Sequence, residues 1–469
     1  MDALPESDLS PTLSERLGAF VANLRHEEVP EAVRRRAAFL MLDAVGAALA
    51  SASFDFGRIA ARALGGLETG RLPVIGRPER LSLRDAALVN GILVHGLDYD
   101  DTSAAGRLHP SSSCMPAALM TGIHLGSSGR EVLTAYIAAL ETTIRLSAVA
   151  KGGFQRRGFH PTGVMGAFGG AFAAARLFGL DAAETATAQG IAYSTASGNQ
   201  SYAATMAWTK RFHPGWGAAG GITAAALAKG GFVGPRHAYE GRFGLYAVYL
   251  GEFAAECDLS LATVGLGLRW IVQEISLKPL PACYFNVPLI DAAARIAAEH
   301  SPLPEEIDSV TVLVPEAAIQ QVCEPVARKR RPTDAYAAQF SAFYTVAATL
   351  VRGRFGLDDL DDAALADERV AALAQRVIHA VDPHTTFPKH YSGAVLVTMR
   401  DGTRFEARET VERGSPERAL TEEDILAKFN GNATRVLLHE QVERLRDAIL
   451  GIERMDDVRQ LAPLLAGPA

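Results

Sequence analysis

The chain has 469 residues, 48% of them hydrophobic and 21% charged, and 46 Lys and Arg against 53 Asp and Glu leave a net charge of −7. That length supports more than one domain, because a single core stops growing near about 250–300 residues. The acidic balance argues against a nucleic-acid partner, which needs a basic face, and leaves room for a small anion held by local cations.

The N-terminal stretch MDALPESDLSPTLSERL is acidic and has no apolar centre, so it reads as neither a secretory signal nor an Arg-rich transit peptide. From Leu13 to about Trp270 the chain reads as helix. Segments such as EEVPEAVRRRAAFLMLDAVGAALA and GREVLTAYIAALETTIRLSAVA repeat apolar residues at i, i+3, i+4 and i+7, with Gly and Pro between segments. The apolar stretch GVMGAFGGAFAAARLFG is cut by Arg176 and rich in glycine, which reads as a tightly packed helix and not a membrane span. Cys114, Cys257, Cys283 and Cys323 lie far apart with no C-x-x-C, giving no zinc or iron–sulfur signature. A cytoplasmic protein without a membrane partner is expected.

The pattern changes after SLKPLPACYFNVP. IDSVTVLVPE is a β-branched run, and AVLVTMRDGTRFEARE reads as two strands joined at Asp401-Gly402. Helices are expected between them, over 335–352 and 359–380. The tail from about Glu417 returns to helix. The boundaries read as a helical part over 1–275, an α+β part over 276–409, and a helical tail over 410–469 that completes the first. No repeat of 20 to 50 residues is present to suggest a solenoid.

Four polar clusters interrupt this greasy chain. In VHGLDYDDTSAAGRLHP, a helix running from Arg84 to Thr102 puts His95, Asp98 and Thr102 on one stripe, with Asp101 beside it and Asp100 pointing elsewhere. His109 follows after a short loop. A solvated acidic helix end is the competing reading. In KGGFQRRGFHPTGVMGAFGG, His160 precedes Pro161-Thr162 and a Gly-rich helix whose free amides favour an anion. Alternatively Thr162 caps that helix and His160 is exposed.

In MAWTKRFHPGWGAAGG, Lys210, Arg211 and His213 stand together before Gly215, suiting a carboxylate or phosphate, or else forming an ordinary basic loop. Lys278 in SLKPLPACYF sits at the proposed junction, although a lone lysine is most often solvated. There is no H-E-x-x-H, P-loop, G-x-G-x-x-G after a strand, or G-x-S-x-G elbow. The remaining Asp, Thr, His and Lys suit acid–base chemistry without a cofactor.

In this order the clusters resemble the MmgE/PrpD family of 2-methylcitrate dehydratases, cis-aconitate decarboxylases and iminodisuccinate epimerases. The resemblance runs through NGILVHGLDYDDT, HPTGVMGAFGGAFAAARLFGLD, IAYSTASGNQ, TKRFHPGWGAAGGITAAALAKGGFVGP, KPLPACYFNVPLIDAA, AQFSAFYTVA and AKFNGNA. It implies a mainly α protein, an all-helical domain with an inserted smaller α+β lid, a site in the cleft between them, and a homodimer. Carried over residue by residue, it implies catalytic or binding roles for Asp98, Thr102, His109, His160, Lys210 and Lys278, with His213 beside Lys210. The decarboxylases resemble K-x-x-P-A-H, and Cys283 stands here in place of that histidine; a histidine common four residues later is Val287.

The expected function is that of a cofactor-independent lyase on a small polycarboxylate, foremost the dehydration of a 2-methylcitrate-like hydroxy acid. Epimerisation of a dicarboxylate and cis-aconitate-type decarboxylation are the alternatives within the family. A helical metal-dependent hydrolase using His95, Asp98, Asp101 and His109 is the alternative outside it, and a non-catalytic binding protein on the same fold is a further one.

Overall fold

The computed structural model describes residues 11–205 and 207–468, and the chain divides into two units. The first takes residues 11–96, 100–276 and 422–468; the second takes Leu97–Tyr99 and Leu277–Thr421.

The first unit is built of helices whose starts are written in the sequence. Thr12 and Glu15 form a capping box at the head of Leu13–Asn23, the Thr12 hydroxyl accepting from the Glu15 amide (3.2 Å) and the Glu15 carboxylate from the Thr12 amide (2.8 Å). Ser128 and Glu131 do the same for Gly129–Val149. That helix is long and apolar enough to cross a bilayer, yet 94% of its apolar window is buried inside the protein. Its buried Glu141 and Arg145 pair at 3.2 Å within the core.

Small residues decide which helices touch. A Cβ on Gly217 of the Thr209–Lys229 helix would lie 2.7 Å from the Gly166 carbonyl carbon of the Pro161–Leu177 helix. One on Gly91 of the Leu83–His95 helix would lie 2.5 Å from the Gly215 Cα. These helices therefore pack backbone against backbone, which brings together the polar residues at their ends. The tail closes on the same unit: Lys428 of Glu422–Ala433 sits 2.7 Å from Asp43 of Glu31–Ala52.

Two expectations for this region need correcting. From Gly230 to Trp270 only Leu245–Leu250 is an α-helix, followed by 3₁₀ turns, because left-handed glycines such as Gly231, Gly241 and Gly251 break the chain. A two-residue antiparallel ladder, Leu72–Pro73 with Arg80–Leu81, also stands within the stretch expected to be helical.

The second unit carries a four-stranded sheet in the order Val377–Val381, Ile307–Val314, Gly393–Met399, Arg404–Glu409. The first pair is parallel and the others antiparallel. The hairpin expected at Asp401-Gly402 is present, with Gly402 at φ 90° and the Asp401 carboxylate accepting from the Thr403 amide (2.8 Å). The helix expected over 359–380 is not continuous. Glu368–Ala374 is helical, but Val377–Val381 is a strand, because its β-branched residues complete the sheet edge beside Val310–Val314. The helix expected over 335–352 divides at Ser341, whose hydroxyl caps Ala342–Arg352 by accepting from the Tyr344 amide (2.9 Å). The chain is mainly α, with its β structure concentrated in the second unit.

Candidate active site

The helix expected to run from Arg84 to Thr102 stops at His95. Gly96 and the left-handed backbone of Asp98 (φ 49°) turn the chain there. Arg211 donates from Nε to the Gly96 carbonyl (2.6 Å), giving that helix end a partner, while its guanidinium lies 4.1 Å over the Phe56 ring. The break removes the stripe of His95, Asp98 and Thr102 and redistributes the roles of the aspartates.

Asp100, expected to point away, is fully buried and bridges two histidines. Its Oδ2 accepts from His95 Nδ1 at 2.8 Å, and its Oδ1 lies 3.4 Å from His109 Nδ1. Burial works to raise its pKa, but His95 and His109 together outweigh burial and hold the carboxyl well below the usual range. Asp101, expected beside the stripe, turns the other way and accepts from the Ser111 amide (3.1 Å) and hydroxyl. Burial, opposed by these bonds and reinforced by Asp100 and Asp43, pushes its carboxyl up to about 8. Asp101 is thus a neutral structural group at physiological pH.

His109 has its Nδ1 2.9 Å from the Asp101 carbonyl and 3.4 Å from the Thr102 hydroxyl. A carbonyl only accepts, so in the neutral ring the proton sits on Nδ1 and Nε2 keeps the lone pair. The His109 amide donates to Thr162 Oγ1 (3.2 Å), so Thr162 ties down this loop and does not cap its own helix. Thr102 is itself fixed by paired backbone bonds with Ser276, 2.9 Å in each direction.

His160 is the N-cap residue of Pro161–Leu177 and is buried, against the exposed reading. Its Nδ1 lies 3.1 Å from Nδ1 of His213, so one ring donates and the other accepts. Gly163 makes room for this contact: a Cβ there would sit 2.8 Å from the His213 Cβ. Ring centroids run 4.7 Å from His109 to His95, 5.5 Å from His95 to His160, and 5.3 Å from His160 to His213. Burial above all, then neighbouring rings and the buried Lys210 ammonium, pushes His95 and His213 down to about 4 and His160 well below its ordinary value. The result is a row of imidazoles, those of His95, His160 and His213 held neutral near pH 7, with Lys210 as a cation beside them. Tyr202, which carried no signal in the sequence, lies 5.7 Å from His160, ring to ring.

In the second unit, Lys278 is not the solvated lysine of the simplest expectation. It is 2% exposed, its Nζ lies 2.9 Å from Asp98 Oδ1, and it donates to the Asp98 carbonyl (2.6 Å). Leu97–Tyr99 is stitched into the same unit, Tyr99 donating to the Pro279 carbonyl (3.1 Å) and Gln339 to the Leu97 carbonyl. Cys283 is buried and its amide donates to the Gln339 carbonyl (2.9 Å); Val287 is wholly buried.

The structure therefore gathers Thr102, His109, His160, Lys210 and His213 in the first unit and places Asp98, Lys278 and Cys283 in the second. His95 and Asp100 join the first group. The missed signal was Gly96: a helix ending there puts Asp100, not Asp98, back against the last helical turn. His95, Asp100 and His109 bring ligand-type atoms within 4.8 Å of one another. Asp101 is committed to Ser111, so the set expected for a hydrolase loses one member. What these groups offer is proton transfer beside an anion.

Comparison with known proteins gives a consistent picture. The MmgE/PrpD N-terminal domain matches residues 15–258 and the MmgE/PrpD C-terminal domain matches residues 280–454. A cis-aconitate decarboxylase-like protein, oryM, from Aspergillus oryzae is 26% identical over 99% of each chain. The cis-aconitate decarboxylase of Homo sapiens is 28% identical over 98% of this chain and 95% of its own. The 2-methylcitrate dehydratase of Escherichia coli is 24% identical over 80% of each.

Proposed function

The chain belongs to the MmgE/PrpD family, and on that premise we propose that it is a cofactor-independent lyase that dehydrates a small hydroxy-tricarboxylate of the 2-methylcitrate kind. The observation that carries this reading is His109, whose Nδ1 is committed to the Asp101 carbonyl so that Nε2 is a base. In the reaction His109 takes the proton from the carbon beside a carboxylate. The C–H electrons form the new double bond, the C–O bond breaks, and the departing hydroxide leaves as water with a proton from the Lys210 ammonium.

Charge on the enediolate-like group is met by Lys210, with the Thr102 hydroxyl and the Thr162 amide at the head of Pro161–Leu177 as neutral donors. His160 and His213 hold one another's tautomers. Lys278, fixed by Asp98, is a further carboxylate partner, and Cys283 lies five residues beyond it in the chain. The Nε2 lone pair of His109 supplies a base, which dehydration needs and decarboxylation does not, and that is why dehydration leads. Decarboxylation is the second reading, favoured by the cis-aconitate decarboxylases that align along the whole chain; Cys283 in place of the decarboxylase histidine speaks against it.

We also propose a homodimer. Trp208, Phe212 and Trp216 are spaced one turn apart, are 46%, 41% and 42% exposed, and include a stacked Phe212–Trp216 pair. An aromatic stripe of that kind suits a subunit contact.

Incubation with a panel of di- and tricarboxylates in deuterated water tests the function. Dehydration gives a new unsaturated-acid absorbance, decarboxylation releases carbon dioxide, and epimerisation exchanges label without net turnover. His109→Gln is expected to lower turnover by about 10²–10⁴-fold. No turnover with any polycarboxylate refutes the lyase, and activity lost to a chelator and restored by a divalent ion revives the hydrolase.

A further inference from the structure

One buried group has no task in that reaction. His95 is 1% exposed, its Nδ1 faces Asp100 at 2.8 Å, and its Nε2 meets no hydrogen-bond partner among the described residues. Buried polar atoms are nearly always paired, so an orphan of this kind marks a place where a ligand or a water completes the set. The ring lies between His109 and His160, at 4.7 and 5.5 Å between centroids, in the middle of the imidazole row.

The chemistry of the orphan atom follows from its other nitrogen. Asp100 is ionised and accepts only, so the ring proton is on Nδ1 and the Nε2 lone pair faces outward from the pair. Burial outweighs the Asp100 carboxylate and, with His109 and the Lys210 ammonium, pushes this ring down to about 4, neutral near pH 7. A neutral Nε2 with a lone pair cannot donate to a carboxylate. It can accept from a hydroxyl.

We propose that His95 Nε2 is the hydroxyl-recognition atom of the site, accepting a hydrogen bond from the alcohol of a hydroxy-polycarboxylate, and that Asp100 is the positioning residue that sets the tautomer of His95. The proposal rests on the dehydratase reading and narrows its substrate class. An acceptor held dry and aimed at one position favours a ligand with O–H there and rejects the same ligand without it, because the lone pair is then left buried and unpaired.

Citrate and tricarballylate, which differ only by that hydroxyl, are the probes, and their dissociation constants are measured by calorimetry on the full chain. The wild type is expected to prefer citrate by roughly tenfold or more. His95→Asn keeps an amide near the place of Nδ1, and hence the contact to Asp100, but removes Nε2. It is expected to bind tricarballylate as the wild type does and to bring the citrate preference below about threefold. Asp100→Asn, which frees the tautomer of His95, is expected to lose the same preference, with the His95 ¹⁵N resonances shifting toward mixed tautomers and those of His109, held by the Asp101 carbonyl, staying in place.

Equal binding of the two acids by the wild type overturns the proposal, as does binding of neither. A preference that survives in His95→Asn overturns it too, and leaves the dehydratase standing if hydroxy acids are turned over. Should His95→Asn fail to fold, the wild-type His95 ¹⁵Nε2 resonance decides: a shift with citrate and none with tricarballylate supports the contact, and identical responses refute it. Turnover confined to unsaturated acids removes the dehydratase reading itself.

Discussion

Replacing Lys278 with Met separates what this residue does for the fold from what it does for the reaction. Lys278 and Asp98 are 2% and 4% exposed and their charged atoms are 2.9 Å apart. At an effective dielectric of about 20, unit charges at that distance attract by roughly 6 kcal/mol, most of which offsets the cost of taking both ions out of water. Removing only the cation takes the ion pair from the buried Asp98 carboxylate and a donor from its carbonyl, which costs about 3–5 kcal/mol. For a cooperative unit of this size, each kcal/mol moves Tm by about 2–4 °C, so Lys278→Met is expected to melt roughly 6–20 °C below the wild type. Adding Asp98→Asn removes the buried charge and keeps a residue that tolerates the left-handed backbone at this position (φ 49°), so most of the loss returns. Turnover does not return with it, because the carboxylate partner is still missing, a loss of about ten- to a hundredfold. Circular-dichroism melts of the three proteins, with turnover measured well below each transition, give both numbers. A Lys278→Met protein melting within about 1 °C of the wild type refutes the energetics, and a fully active double variant refutes the catalytic role.

Asp101 predicts a pH effect on stability. Its folded pKa is raised to about 8, so its contribution is fully present below the unfolded carboxylate pKa and lost as pH rises through 8. Asp101→Asn is therefore expected to lose less stability than the wild type between pH 5 and 9 in urea melts, by up to about 1.4 kcal/mol per pH unit, and parallel curves sink the assignment. Gly217→Val drives side-chain atoms into the Gly166 backbone and spreads the helices that bring His160 to His213; a loss of about 1–3 kcal/mol with loss of activity is expected, and an unchanged protein contradicts the packing. Trp216→Glu is expected to turn the dimer into a monomer in light scattering, and a wild type of 49.8 kDa in solution ends the dimer proposal.

Local chemistry made much of this protein readable from its residues alone. Apolar periodicity and the Asp401-Gly402 turn with β-branched runs on either side are short-range signals, and they mark helices and strands without help from elsewhere. The polar clusters stood out because charge at the end of an apolar helix is costly unless it has a partner. Which partner was not readable. Asp98, Asp100 and Asp101 are alike as sequence, and only the break at Gly96 sends them to Lys278, to His95 and His109, and to Ser111. Val377–Val381 likewise looks like the end of a helix until Ile307–Val314, more than 60 residues earlier, offers it a ladder. The row from His109 to His213 depends on glycines letting helices approach backbone to backbone, and the low pKa values of His95, His160 and His213 depend on burial. Both are properties of a packed interior, and residues far apart in the chain acquire them only when the tertiary structure removes water from between them.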